Sequence, residues 1–338
     1  VSRPGDKYRY QETLWGRAGQ AGVRAGRVGI FGLGATGAAH AHILARAGVG
    51  FLRLVDRDIV EAGDLHRSQL FDEKDAACPT AKAAAAARRI REVNADVTTE
   101  TAVAFVTAAN VSRLAADLDV LVDGADNYPL RFLLNDVAVK TARPLIYQGA
   151  LGARGAAMAV VPGLGPCFRC LLPEPPPPAS SPTCTQLGVS PAAAAATAAV
   201  GAALTLAVLR GEAAAVAGAL TRLEDGGYVT TVRVPRRPDC PTCVKGEYPF
   251  IAGAFTPAVN RVCGGLAFEV FPRGPGQVAL AELAARHAGR AELRDDGLIL
   301  DIVDGETSAV VFGDGRALIY GGRDEEHAQA IYDRLVGQ

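Results

Sequence analysis

The seven cysteines of this chain are unevenly placed. Cys167 and Cys170 lie in CFRC and Cys240 and Cys243 in CPTC, two Cys-x-x-Cys pairs about 70 residues apart. Each pair can present two thiolates on a tight knuckle. A fold that brings the knuckles together closes one tetrahedral zinc site with no open coordination position, a structural clamp. Cys78, Cys184 and Cys263 remain. Cys184 stands in PPPPASSPTCTQLGV (175–189), after a proline run and before the most apolar stretch of the chain. A thiol there can be a nucleophile, a ligand or packing. The quartet already fills a zinc shell, which puts the ligand reading last.

A second chemical signature lies near the N-terminus. RVGIFGLGATGAAHAHILARAG (27–48) reads as strand, glycine turn and helix, with Gly32, Gly34 and Gly37 in G-x-G-x-x-G. LRLVDRDIV (52–60) follows as a second strand and places Asp56 about 20 residues on. Glycines let the backbone approach a phosphate or ribose, the helix N-terminus favours anions, and the acid holds ribose hydroxyls. The motif alone serves a nicotinamide dehydrogenase as well as an ATP enzyme. Asp126, at the end of LDVLVDGAD (118–126), adds a second acidic loop. Two acids near a glycine turn suit ribose and Mg²⁺ better than a nicotinamide.

The elements that must carry these groups alternate. TAKAAAAARRIREVN (80–94) and YPLRFLLNDVAVKTA (128–142) read as helices, and DVTTETAVAFV (96–106) and PLIYQGAL (144–151) contain strands. Such alternation predicts an α/β fold: a Rossmann-like, doubly wound, mostly parallel sheet whose ligands sit at the carboxyl ends of the strands. The uncharged stretch 191–209 is long enough to cross a bilayer, but its alanine-rich composition predicts a buried core helix ended by Arg210. PEPPPP (173–178) predicts an extended segment within a mobile crossover loop over residues 171–187. Residues 247–267 read as a linker and 268–338 as a small C-terminal α+β module, after a larger nucleotide-binding type of unit over 1–246.

Charge excludes some partners. With 35 basic and 36 acidic residues the net charge is −1, so neither nucleic acid nor an anionic membrane is an expected partner. No apolar run follows the N-terminal basic residues, and a cytoplasmic chain is expected.

The motifs taken in order are more specific than any one of them. GLGATG, LVDRDIVEAGDLHRSQLF, Lys82, DGADNYPLR, CFRC, PTC and CPTC together resemble the ThiF/MoeB sulfur-carrier adenylyltransferases, relatives of the ubiquitin-activating enzymes, over residues 7 to 245. The resemblance implies a homodimeric enzyme that uses MgATP to adenylate the C-terminal carboxylate of a small ubiquitin-like carrier ending in Gly-Gly. Such chemistry feeds sulfur transfer to thiamine, molybdopterin or tRNA, sometimes with a sulfurtransferase partner, or serves a bacterial ubiquitin-like conjugation system.

Carried over position by position, the implied ATP site comprises Gly32, Gly34, Ala35, Gly37, Asp56, Asp58, the segment Gly63, Asp64, Leu65, His66 and Arg67, then Lys82, Asp126 and Asn127. Arg67 and Lys82 would neutralise phosphate oxygens and Asp126 would hold Mg²⁺. Cys184 matches the position whose thiol captures the activated carrier, and the N-terminus of the apolar helix is available to lower its pKa.

Two departures stand out. The family pattern Asn-Leu-x-Arg-Gln is here Asp64-Leu65-His66-Arg67-Ser68, which puts an acid where phosphates approach and predicts weaker ATP binding at neutral pH. The N-terminal Arg-Tyr-x-Arg-Gln is here Lys7-Tyr8-Arg9-Tyr10-Gln11, so Arg9 is the candidate for the cation that reaches a partner subunit's ATP. These departures make a non-catalytic subunit of the same fold the serious rival to an enzyme.

Overall fold

The computed structural model describes residues 6–177, 184–253, 260–261, 267–272, 277–295 and 297–337. Strands β1 (Arg27–Phe31), β2 (Phe51–Asp56), β3 (Thr98–Val103), β4 (Val120–Asp123) and β5 (Leu145–Leu151) are parallel and run side by side in the order β3-β2-β1-β4-β5. Their order reverses between β1 and β4, so a crevice opens at the carboxyl ends of those two strands. The buried faces of β1, β2 and β4 are nearly continuous apolar residues, as expected where helices cover both sides.

The sheet continues antiparallel through β6 (Arg154–Val160), β7 (Ala219–Leu223) and β8 (Val229–Arg233). The sequence reading did not resolve these three strands. β8 is exposed along its length, β7 is five residues long, and β6, RGAAMAV, is mostly Gly and Ala, which favour strands little.

Four helices matter most for the site. Ala35–Ala47 follows the glycine turn, Lys82–Val93 follows the crossover from β2, and Tyr128–Lys140 follows β4. Pro191–Leu209 is the stretch long and apolar enough for a bilayer. It instead packs against Ala35–Ala47, β5 and β6, capped by the Ser190 hydroxyl and ended at Arg210. Its buried Gly201 explains the close approach: a Cβ there would lie 2.4 Å from Gln148 Oε1. Burial pushes the His40 imidazole down to about 4, so it sits neutral between Gln148 (3.0 Å) and Thr205 (3.0 Å) against this helix.

A second sheet ends the chain: β9 (Asn260–Arg261), β10 (Ala267–Val270), β11 (Glu292–Asp295), β12 (Ile299–Asp304), β13 (Thr307–Phe312) and β14 (Ala317–Tyr320), in the order β11-β12-β13-β14-β10-β9. Helices Leu280–His287 and Glu325–Leu335 cover one face. Within the segment read as linker, Phe250 is buried in the core beside Phe132, and Asn260–Arg261 pairs with β10. The other face of the module packs through Val310, Phe312 and Leu318 against Ile59, beyond the end of β2, and Ala81, the N-cap of Lys82–Val93.

Candidate nucleotide and thiol sites

The glycine turn is built by backbone contact. Gly32 has φ +94, and a Cβ on it would lie 2.6 Å from the Gly124 carbonyl oxygen. A Cβ on Gly37 would lie 1.9 Å from the Gly32 carbonyl. These two glycines therefore let β1, its helix and the β4 loop meet. Gly34 differs: a Cβ there meets nothing within 4 Å. It is also the N-cap of Ala35–Ala47, whose first amides receive no side-chain cap. Open space in front of uncapped helix amides is a cradle for an anion.

Asp56 sits beside that cradle. Its Oδ2 accepts from the Leu33 amide (2.5 Å) and its Oδ1 from the Asp58 amide (2.8 Å). Burial pushes its carboxyl up to about 6, Lys82 opposes the rise and Asp58 adds to it. Lys82 is itself buried at the start of its helix. Burial favours its neutral form, but Asp58, Asp56 and Asp64 together hold the ammonium well above the usual lysine range.

Asp64 completes the cluster. Its Oδ2 lies 3.1 Å from Lys82 Nζ and its Oδ1 3.0 Å from Arg67 Nη2, and it also accepts from the Glu61 amide (3.2 Å). Burial raises its carboxyl, but Lys82, the Glu61 amide and Arg67 win and hold it below the usual range. The acid expected to repel phosphates thus pairs both cations expected to bind them. Of the rest of this segment, Gly63 and His66 are exposed, and Leu65 packs on the core.

The β4 loop is set by a buried ion pair. Arg131 Nε lies 2.6 Å from Asp123 Oδ2, and Arg131 Nη2 donates to the Ala125 carbonyl. Asp123 Oδ1 accepts from the Ala125 amide. Asn127 caps Tyr128–Lys140 by accepting from the Leu130 amide (3.0 Å), so its side-chain oxygen is engaged in the fold. Asp126 is exposed, and its charge reaches Arg57. Arg9 stacks on Tyr10 (4.6 Å) on the surface, and among the described residues no hydrogen bond or ion pair joins it to the glycine turn of its own chain.

The two cysteine pairs converge. Cys167 and Cys240 sulfurs lie 3.5 Å apart, as do those of Cys170 and Cys243, and all four lie within 4.8 Å of one another. Burial pushes Cys170 up to about 11 and raises Cys167 as well, where the other three thiols add to the rise. Four thiols so placed cannot ionise together without a compensating cation, and the set fits a soft divalent ion with four sulfur ligands. Cys184 begins a one-turn helix, Cys184–Leu187. Its side chain and residues 178–183, the middle of the expected crossover loop, lie outside the described residues.

The sequence profile of the ThiF family matches residues 8–242. A Bacillus subtilis protein named sulfur carrier protein ThiS adenylyltransferase is 34% identical over 325 residues, 95% of this chain and 96% of that one. The chain belongs to the ThiF family. A Haloferax volcanii protein named SAMP-activating enzyme E1 is 38% identical over 68% of this chain and 85% of that one. A crystal structure of E. coli MccB with ATP shares the fold at TM-score 0.62 and 18% identity, over 71% of this chain and 75% of that chain.

Several residues of this ThiF-family chain that hold the sites carried no role in the sequence reading. Asn135 accepts from the Phe168 amide (2.7 Å) at the first thiol knuckle. Asp136, its neighbour, accepts from the Phe250 amide (2.9 Å) and from Thr242 of the second knuckle (3.4 Å). Burial pushes Asp136 up to about 6. Two adjacent polar residues inside an otherwise apolar helix were the available signal. Arg57, Glu269 and Arg316 form another set, described below.

Proposed function

We propose that this chain uses ATP to adenylate the C-terminal glycine carboxylate of a small ubiquitin-like sulfur-carrier protein. The observation that carries the reading is the linked group Leu33, Asp56, Lys82, Asp64 and Arg67 beside the open glycine turn. The Bacillus relative's name and the 95% coverage of this chain make a ThiS-type carrier the first substrate to test.

The carrier carboxylate attacks the α-phosphorus, the bond to the bridging oxygen breaks, and pyrophosphate leaves. No protein base is needed because the nucleophile is already ionised. The chain's task is to hold two anions together. Asp56 accepts from the ribose hydroxyls, the amides after Gly34 face phosphate oxygens, and Lys82 and Arg67 exchange part of their pairing with Asp64 for phosphate. Asp126 is the residue to hold Mg²⁺, which would offset charge on the departing pyrophosphate.

Zinc in the quartet Cys167, Cys170, Cys240 and Cys243 would clamp the two ends of the intervening segment. Cys184 is assigned the capture of the activated carrier, and a second copy of the chain is the expected source of Arg9 at the nucleotide. Sulfur delivery by a separate sulfurtransferase completes the scheme.

The test is exchange of labelled pyrophosphate into ATP with the full chain, Mg²⁺ and a Gly-Gly-ending carrier. Carrier-dependent exchange is expected. Its absence from folded, zinc-loaded protein across ThiS-type and other Gly-Gly carriers would favour a non-catalytic subunit.

A further inference from the structure

Three successive carbonyls of the Asp56–Asp58 turn are held by three different parts of the chain. The Asp56 carbonyl accepts from the Ala104 amide (3.1 Å) and the Asp58 carbonyl from the Lys82 amide (2.9 Å). The middle one, on Arg57, accepts from Arg316 Nη2, which belongs to the C-terminal module. Arg316 is 1% exposed. It pairs with the equally buried Glu269 of β10 (2.9 Å) and lies over the Phe312 ring (3.8 Å). Glu269 also meets the Arg57 guanidinium (3.2 Å), and the module adds an edge-to-face contact between Phe271 and Phe105 (5.2 Å).

The geometry of the peptide unit makes this contact more than an anchor. The Arg57 carbonyl and the Asp58 N–H belong to one planar group and point in opposite directions. Arg316 holds the carbonyl end, and Asp56 Oδ1 accepts from the N–H end at 2.8 Å. Fixing one end fixes the other. A buried ion pair such as Arg316–Glu269 is a poor source of net stability, because desolvation offsets its attraction. What it does supply is an oriented guanidinium at a defined place.

We propose that Arg316 is a positioning residue for the nucleotide site, orienting the Asp56 carboxylate from the C-terminal module through the Arg57–Asp58 peptide. The proposal rests on the adenylation reading, with Asp56 as the ribose acceptor. Linkage makes the coupling reciprocal: nucleotide that uses an oriented Asp56 also tightens the module's grip on the turn.

Two measurements on the full chain test it. Arg316→Lys keeps a charge opposite Glu269 but gives up the forked reach to the Arg57 carbonyl. Calorimetry should show MgATP binding about tenfold weaker, the scale of one charge-assisted hydrogen bond. Hydrogen exchange on the wild-type chain needs no variant: saturating MgATP should slow amides at 32–37 and also those of β10 and β14. Slowing at 32–37 with no change in β10 and β14, or wild-type affinity in folded Arg316→Lys, overturns the positioning role and leaves adenylation standing. No slowing at 32–37 overturns both. If Arg316→Lys fails to fold, the wild-type exchange result decides alone.

Discussion

Lys82 Nζ and Asp64 Oδ2 meet at 3.1 Å with their side chains only 10% and 3% exposed. A pair this buried is not a solvated surface bridge, and its two members have unequal roles. Lys82→Met leaves Asp64 buried against Arg67 alone. It is expected to lower stability by about 3 kcal/mol, the scale for breaking a buried pair, and to abolish pyrophosphate exchange. Asp64→Asn does the reverse for ligand binding. It relieves Lys82 and Arg67 of a competing anion, so the KM for ATP should fall roughly fivefold while thermal stability drops. Steady-state kinetics and a melting curve on the two variants check both.

Asp56 sets an acid limb. Its carboxyl is raised to about 6 in the folded chain from an ordinary 3.8, so the folded state gains a proton over that interval. The cost of burying the ionised carboxylate is present above about pH 6 and relaxes as pH falls toward 3.8. The proposed ribose acceptor loses its charge over the same interval. ATP affinity should therefore weaken as pH drops through about 6 while this group's penalty on folding diminishes. Calorimetric titration with ATP from pH 8 to 5 measures the first effect, and Asp56→Asn should flatten it at uniformly weak affinity.

The thiol quartet is expected to bind one zinc per chain. Metal analysis of purified protein checks the stoichiometry. Removal by chelation, or Cys240→Ser, should lower the Tm by about 10 °C, given the several kcal/mol a structural site contributes.

Carrier capture at Cys184 predicts a covalent adduct. Incubation with ATP and carrier should yield a thiol-sensitive higher-mass species on a non-reducing gel. Cys184→Ala should lack it, and formation of the same species on that variant would assign the capture elsewhere.

The parallel half of the sheet and its crevice were legible because period and punctuation agree there: apolar strands, a glycine turn, then alanine-rich helices. The quartet was legible from spacing alone. The pairing of Asp64 was not legible, since a local motif does not reveal that two cations three and eighteen residues on fold back onto one carboxylate. β6 to β8 were missed because β6 is mostly Gly and Ala, β7 is short and β8 is exposed along its length. Glu269 and Arg316 were beyond reach for a different reason. Their partner Arg57 is more than 200 residues away in sequence, and a lone arginine after a strand gives no hint of what will cover it.

Helix Tyr128–Lys140 begins at the acidic loop, where Asn127 caps it, and grips both thiol knuckles through Asn135 and Asp136. Inserting a single residue between these points would turn Asn135 and Asp136 by about 100° about the helix axis. Its length is therefore a fixed gauge between the acidic loop and the thiol quartet, and a chain that lengthened it would have to rebuild one end to keep the other.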